Sequence, residues 1–240
     1  MQDSRLRTIF ARTRFKVGIC LRMIFPPLYS FQRLERYCRA KLAKDATAYL
    51  PRMFLANLYK DHLKNEEAKR EFTEIRRLGQ LTDQDRLNLG EVLYRLKDYQ
   101  EAIEALTPVI ERYRNEKHAN WYLGISYFEI GNFGRARVYL ERAVARGVQR
   151  RDDYWRLGVC YDRLGELQKA TDAYVEALKD RSDSEDLKQN LASVYVRIGK
   201  SLMERNPEQA KRELRKALEL RPGDQDAVQL LSILEGRAAR

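Results

Sequence analysis

The sequence predicts an all-α fold, a solenoid of antiparallel helix pairs, and three observations predict it. Leu55, Leu89, Leu123, Leu157 and Leu191 recur at a fixed 34-residue step. A small residue follows each (Ala56, Gly90, Gly124, Gly158, Ala192), and a large one stands three further on (Tyr59, Leu93, Tyr127, Tyr161, Tyr195). Twelve residues past the small position comes an alanine, at Ala68, Ala102, Ala136 and Ala170. A period this long marks stacked supersecondary units. Glycine inside a helix costs about 1 kcal/mol against alanine, so three at one phase need a packing cause. Close approach of two helix backbones supplies it.

Each unit reads as two helices. The first carries Leu-small-x-x-aromatic on one face. The second carries stripes at i, i+4, i+7: Ala102, Leu106, Val109; Ala136, Leu140, Ala143; Ala170, Tyr174, Ala177. Repeats are expected near 49–82, 83–116, 117–150, 151–184 and 185–224, with a capping helix over 225–236. Repeat one keeps Leu55, Ala56, Tyr59, Ala68, Phe72 and Ile75 but lacks a turn glycine. Repeats three and four turn at Gly131 and Gly165, where glycine stops a helix. Repeat five begins in phase at Leu191 and Ala192, yet its second helix is late, with Ala210 six residues beyond the expected position. Asn206-Pro207 reads as a cap followed by proline at the first helical position. The extra residues are expected to lengthen the first helix or its turn. Ala227, Leu230, Leu231 and Leu234 are expected inside the cap, hiding the last open face as terminal repeats must.

At these residues the chain resembles the tetratricopeptide repeat (TPR) family. The segments 121–143 and 154–177 carry the resemblance best; the second places Tyr154, Leu157, Gly158, Tyr161, Gly165, Ala170, Tyr174 and Ala177 at family positions. The resemblance covers roughly residues 49–236. It implies a right-handed superhelix whose first helices line a concave groove. By family positions the groove residues are Leu87, Glu91, Tyr94 and Arg95 in repeat two, and His118, Trp121, Ile125 and Phe128 in repeat three. Trp155, Val159 and Arg163 follow in repeat four, then Gln189 and Arg197 in repeat five. Trp121 and Trp155 also admit a helix-packing role, one residue from the usual aromatic site. The basic-and-asparagine clamp of chaperone-binding members is not matched, since Met53, Asn57, Asn88, His118 and Tyr122 stand there.

Residues 1–48 read as a separate basic helical segment, preceding a solenoid over 49–240. They hold eleven of the chain's 46 Lys and Arg but three of its 35 acids, so most of the net charge of +11 sits there. Residues 1–27 read as an amphipathic helix ended by Pro26-Pro27. Leu6, Ile9, Phe10, Val17 and Ile24 lie near one side, and Arg5, Arg12, Arg14, Lys16 and Arg22 crowd the rest. Arg22 interrupts the apolar stretch a secretory signal requires. An anionic membrane surface, a partner protein, the solenoid itself and an organelle address all fit the pattern. Ser30 is expected to cap a short helix over 31–44 with Phe31, Leu34, Cys38 and Leu42 inside, covering repeat one. Thr47 and Pro51 signal the start of the next helix.

Three scattered cysteines (Cys20, Cys38, Cys160) argue against a disulfide framework and for a reducing compartment. The cytoplasm is expected, with the inner membrane face as the adjoining surface. No phosphate loop, metal-spaced Cys/His cluster or nucleophile motif is present, and no cofactor is expected. Neither groove-reading motif nor regular aromatic interleaving points to nucleic acid. What remains is a binding surface: a non-enzymatic scaffold, adaptor or assembly factor holding a partner's peptide or helix, with attachment to an anionic membrane through residues 1–27 as the alternative.

Overall fold

The computed structural model describes residues 31–147 and 152–238. The segment 1–27 and the cap expected at Ser30 lie outside them. Regular structure in the described residues is entirely helical. The helices are α1 Phe31–Lys44, α2 Tyr49–Asp61, α3 Asn65–Arg77, α4 Asp83–Arg95, α5 Tyr99–Arg112 and α6 Lys117–Glu129. They continue with α7 Phe133–Ala145, α8 Asp153–Arg163, α9 Leu167–Asp180, α10 Glu185–Leu202, α11 Pro207–Leu220 and α12 Gln225–Ala238. Each predicted repeat thus holds its two helices, with α1 before the array and α12 after it. The chain divides inside α4 into two compact units, one ending at Val92 and the other beginning at Leu93.

In the first unit α2 pairs with α3, and α1 packs on α2. Leu55, Ala56, Tyr59, Ala68, Phe72 and Ile75 are all buried. α1 covers repeat one as expected, burying Cys38 and setting the Phe31 ring 6.0 Å from Tyr59 and 4.7 Å from His62. A polar clasp completes the joint. The Tyr59 hydroxyl donates to Glu35 (2.7 Å) and accepts from Arg39 (2.7 Å). Burial first, then the Glu35 bond, pushes that hydroxyl up to about 12. Thr47 does not cap α2. Its N–H and hydroxyl both turn back to Asp45 Oδ1 (2.9 and 2.7 Å), and Ala48 takes the N-cap without a side-chain bond.

In the second unit α6 pairs with α7, α8 with α9, and α10 with α11, while α5·α6, α7·α8, α9·α10 and α11·α12 stack one pair on the next. The glycines explain the pairing. A Cβ built on Gly124 would lie 2.7 Å from Leu140 Cγ and 3.0 Å from its backbone nitrogen. On Gly158 it would lie 2.6 Å from the Tyr174 ring. Repeat five makes the same contact at Gly199, whose Cβ would sit 2.8 Å from Leu214 Cγ. The late second helix is therefore met by a longer first helix: α10 has 18 residues, where α6 has 13 and α8 has 11. Gly199 stands seven residues past Ala192, close to two full turns, so the contact stays on the same helix face. Asn206 caps α11 by accepting from the Gln209 N–H (3.1 Å), with Pro207 first in the helix. In α12, Ala227 and Leu234 are buried, and Leu230 and Leu231 are partly so, packed on the same cluster.

The inter-helix turns of repeats one to four share one backbone feature. Gly131 and Gly165 take the left-handed conformation (φ 78° and 77°), and at the same phase so do Leu63 and Lys97 (φ 59° and 65°). A side chain there costs about 1 kcal/mol.

Packing and turn set the expected stability of three variants. Gly158→Ala should cost about 1–3 kcal/mol by chemical denaturation, because the Tyr174 ring must move. Gly134→Ala, with nothing within 4 Å of its Cβ, should be neutral or slightly stabilising. Leu63→Gly should raise stability by about 0.5–1 kcal/mol despite the entropy lost by glycine; a lowered denaturation midpoint would contradict the strain reading.

Candidate functional site

Side chains join the first helices of repeats three to five directly. The Trp121 indole of α6 donates to both carboxylate oxygens of Asp153 at the start of α8 (2.9 and 3.0 Å). The Phe128 ring meets Trp155 edge-on at 5.6 Å. Arg197 of α10 pairs with Asp162 of α8. These contacts bridge neighbouring first helices, and the predicted positions on them fall in two classes.

Trp121 and Ile125 are buried, at 2% and 0% exposure, and offer no surface. The reason is local. Asn120 stands where the aromatic was expected and is itself buried. Its Nδ2 donates to the carbonyls of Arg114 (3.1 Å) and Glu116 (2.6 Å), fastening the turn before α6. Trp121 therefore takes the packing role, with its ring against Tyr94 (5.6 Å) and Tyr122 (4.9 Å). The helix-packing alternative holds for Trp121.

The rest reach solvent. Tyr94, His118, Phe128, Trp155 and Val159 are half-buried, and Arg95, Arg163, Gln189 and Arg197 are exposed. Phe128 packs edge-on against Phe133 (5.8 Å) as well as Trp155. The Arg163 guanidinium lies over Phe133 (5.7 Å) and that of Arg156 over Trp155 (5.7 Å). An aromatic strip edged by arginine is the composition that dominates binding energy at protein interfaces. In the first unit, Leu87 and Glu91 are half-buried. Glu91 pairs with Lys60 (3.3 Å), and Asn88 donates to Asn57 (2.7 Å). His62 lies apart from these, exposed at the end of α2 with Nδ1 2.9 Å from the Leu58 carbonyl oxygen.

Two buried aspartates have no counterpart among the residues singled out in the sequence. Asp153 is fully buried. Besides the indole it has Arg156 at 3.8 Å. Asp85, 2% exposed, accepts from the Tyr49 hydroxyl (2.7 Å) and from the Thr82 hydroxyl and N–H (2.6 and 3.0 Å). Both bind a ring donor from the preceding repeat, which offsets the cost of burying a carboxylate. The signal was present: Asp85 and Asp153 stand two repeat lengths apart, at one phase. Three or more His, Cys, Asp or Glu side chains do not converge anywhere among the described residues.

With this arrangement established, the tetratricopeptide repeat profile matches residues 55–117, 87–150 and 123–186, more than half of the chain. The chain belongs to the tetratricopeptide repeat family. Its fold is similar to that of YrrB, described as a TPR protein with an unusual peptide-binding site, at TM-score 0.58 and 19% identity. That match covers 80% of this chain and 96% of YrrB. A crystal structure of MamA matches at TM-score 0.54 and 24% identity, over 71% of this chain and 90% of MamA. MamA from Desulfovibrio magneticus RS-1, from residue 41 to its end, matches at TM-score 0.52 and 23% identity, over 72% and 95%. No curated protein matches in sequence.

Asp153→Ala should destabilise the protein by about 1–3 kcal/mol, because it orphans a buried indole N–H. It should also shift Trp121 fluorescence. Asp152→Ala removes only a partly exposed pair with Arg181 (3.1 Å) and should cost less than about 1 kcal/mol. Equal costs for the two would show that the buried joint contributes nothing special.

Proposed function

We propose that this protein is a non-enzymatic interaction scaffold, an assembly factor or accessory subunit, that holds a partner's peptide or helix on the first-helix face of repeats three to five. The observation that carries this reading is the half-exposed strip of Phe128, Trp155 and Val159 beside Arg163 and Arg197. The apolar rings are held by their neighbours, so little conformational entropy is lost when a ligand covers them. Arg163, whose guanidinium lies over Phe133, suits a ligand that brings a carboxylate beside its apolar anchor. The fold shared with YrrB, a peptide-binding TPR protein by its description, supports a peptide-sized ligand. Repeat five adds the lengthened α10, whose exposed Arg197 is engaged by Asp162 and extends the strip.

The test is selection of displayed peptides on the full chain, then affinity measurement on variants. Trp155→Ala and Phe128→Ala should weaken selected peptides at least about tenfold, as truncation of interface anchors does. Gln168→Ala, exposed on α9, should leave binding unchanged. Failure to select any peptide, or equal affinity for all three variants, would remove the reading.

A further inference from the structure

α1 carries a second surface, unrelated to the peptide-binding strip. Its inner side is Phe31, Leu34, Cys38 and Leu42, set against α2. On the opposite side Arg33, Arg36, Tyr37, Ala40, Lys41 and Lys44 fall at i, i+3, i+4, i+7, i+8 and i+11, one uninterrupted stripe that is exposed throughout. The only acid of α1 is Glu35, which is turned inward and engaged with Tyr59 and Arg39. Arg36, Lys41 and Lys44 have no carboxylate partner among the described residues. Tyr37 is 60% exposed, with the Lys41 ammonium 5.6 Å from its ring centre. A tyrosine ring set among cations on a helix face suits the headgroup level of a bilayer, where the ring body meets acyl chain and the cations meet phosphate.

We propose that α1 is a membrane-contact helix, lying lengthwise on an anionic bilayer through Arg36, Tyr37, Lys41 and Lys44. Charge complementarity specifies an anionic surface. The sequence ahead of α1 favours lipid over nucleic acid: residues 1–30 hold six Lys and Arg against Asp3 alone, and interleave them with Leu6, Ile9, Phe10, Val17, Leu21, Ile24 and Phe25. Phosphate contacts need cations and polar donors, and the aliphatic residues Leu6, Ile9, Val17, Leu21 and Ile24 add little to them. They would serve an interfacial anchor, which needs both apolar insertion and basic attraction. No described helix is long and apolar enough to cross a membrane.

The experiment is vesicle flotation of the full chain, using phosphatidylcholine vesicles with and without about one third phosphatidylserine. The wild type should bind the anionic vesicles at least about tenfold more tightly, and lose that preference in high salt. The Arg36→Glu/Lys41→Glu/Lys44→Glu variant should lose at least about tenfold of its anionic binding. Its affinity for a selected peptide should be unchanged, because the peptide strip lies in the other unit, and its thermal midpoint should fall only slightly, because the altered face is exposed although Lys41 and Lys44 complement the last turn of α1. Tyr37→Ala should lose less. Wild-type protein that ignores anionic vesicles, or prefers a nucleic acid at matched phosphate concentration, overturns the proposal. So does a triple variant that floats like the wild type; if deletion of residues 1–30 then abolishes flotation, the contact belongs to the preceding chain instead.

Discussion

One distance governs the array: how closely the second helix of a pair approaches the first. At Gly124, Gly158 and Gly199 there is no space for a methyl group, because a leucine or tyrosine of the partner helix already occupies it. The consequence spreads along the chain. Only when backbones meet this closely do the flanking leucines and tyrosines reach the next pair, as Tyr174 reaches Leu187, Leu191 and Val194 in a shared cluster. In the second unit each helix pair then buries its apolar surface mainly on its neighbours, as a repeat array does in place of a single central core.

The joints between repeats are less uniform than the pairs within them. Two use a buried aspartate that accepts from an aromatic donor one repeat earlier, Tyr49 in one case and Trp121 in the other. Elsewhere ion pairs cross between repeats, Lys60 with Glu91 and Arg137 with Glu166. A fully buried, directional bond fixes orientation better than these partly buried pairs between long, flexible side chains. The aromatic strip proposed as a binding surface rests on one of the fixed joints, since Phe128 and Trp155 stand on the two helices that Trp121 and Asp153 tie together.

Much of this was legible in the residues. Periodicity located each repeat, its two helices and the late second helix of repeat five, because small residues in register reflect a steric need that no other residue satisfies. The site was less legible. Family positions led to Trp121 and Ile125 as surface residues, and both are buried. Whether a side chain points inward depends on what its neighbour does, and Asn120 surrendered the packing position by bonding to the preceding turn. Asp85 and Asp153 escaped notice because a lone aspartate near a helix start reads as an ordinary solvated acid. Leu63 and Lys97 escaped because a residue other than glycine gives no local sign of a left-handed backbone; only alignment with Gly131 and Gly165 exposes it.

Repeat five shows how such an array changes length. Its steric notch stands at Gly199, seven residues beyond Ala192, and the stretch from notch to alanine is 11 residues in place of 12, so the notch keeps its azimuth. Seven residues leave a drift of only about 20°. An insertion of two or five would have swung the notch away from α11 and left Leu214 facing a solid wall. A helix of this array can therefore be elongated only in steps near whole turns if it is to keep its grip on its partner.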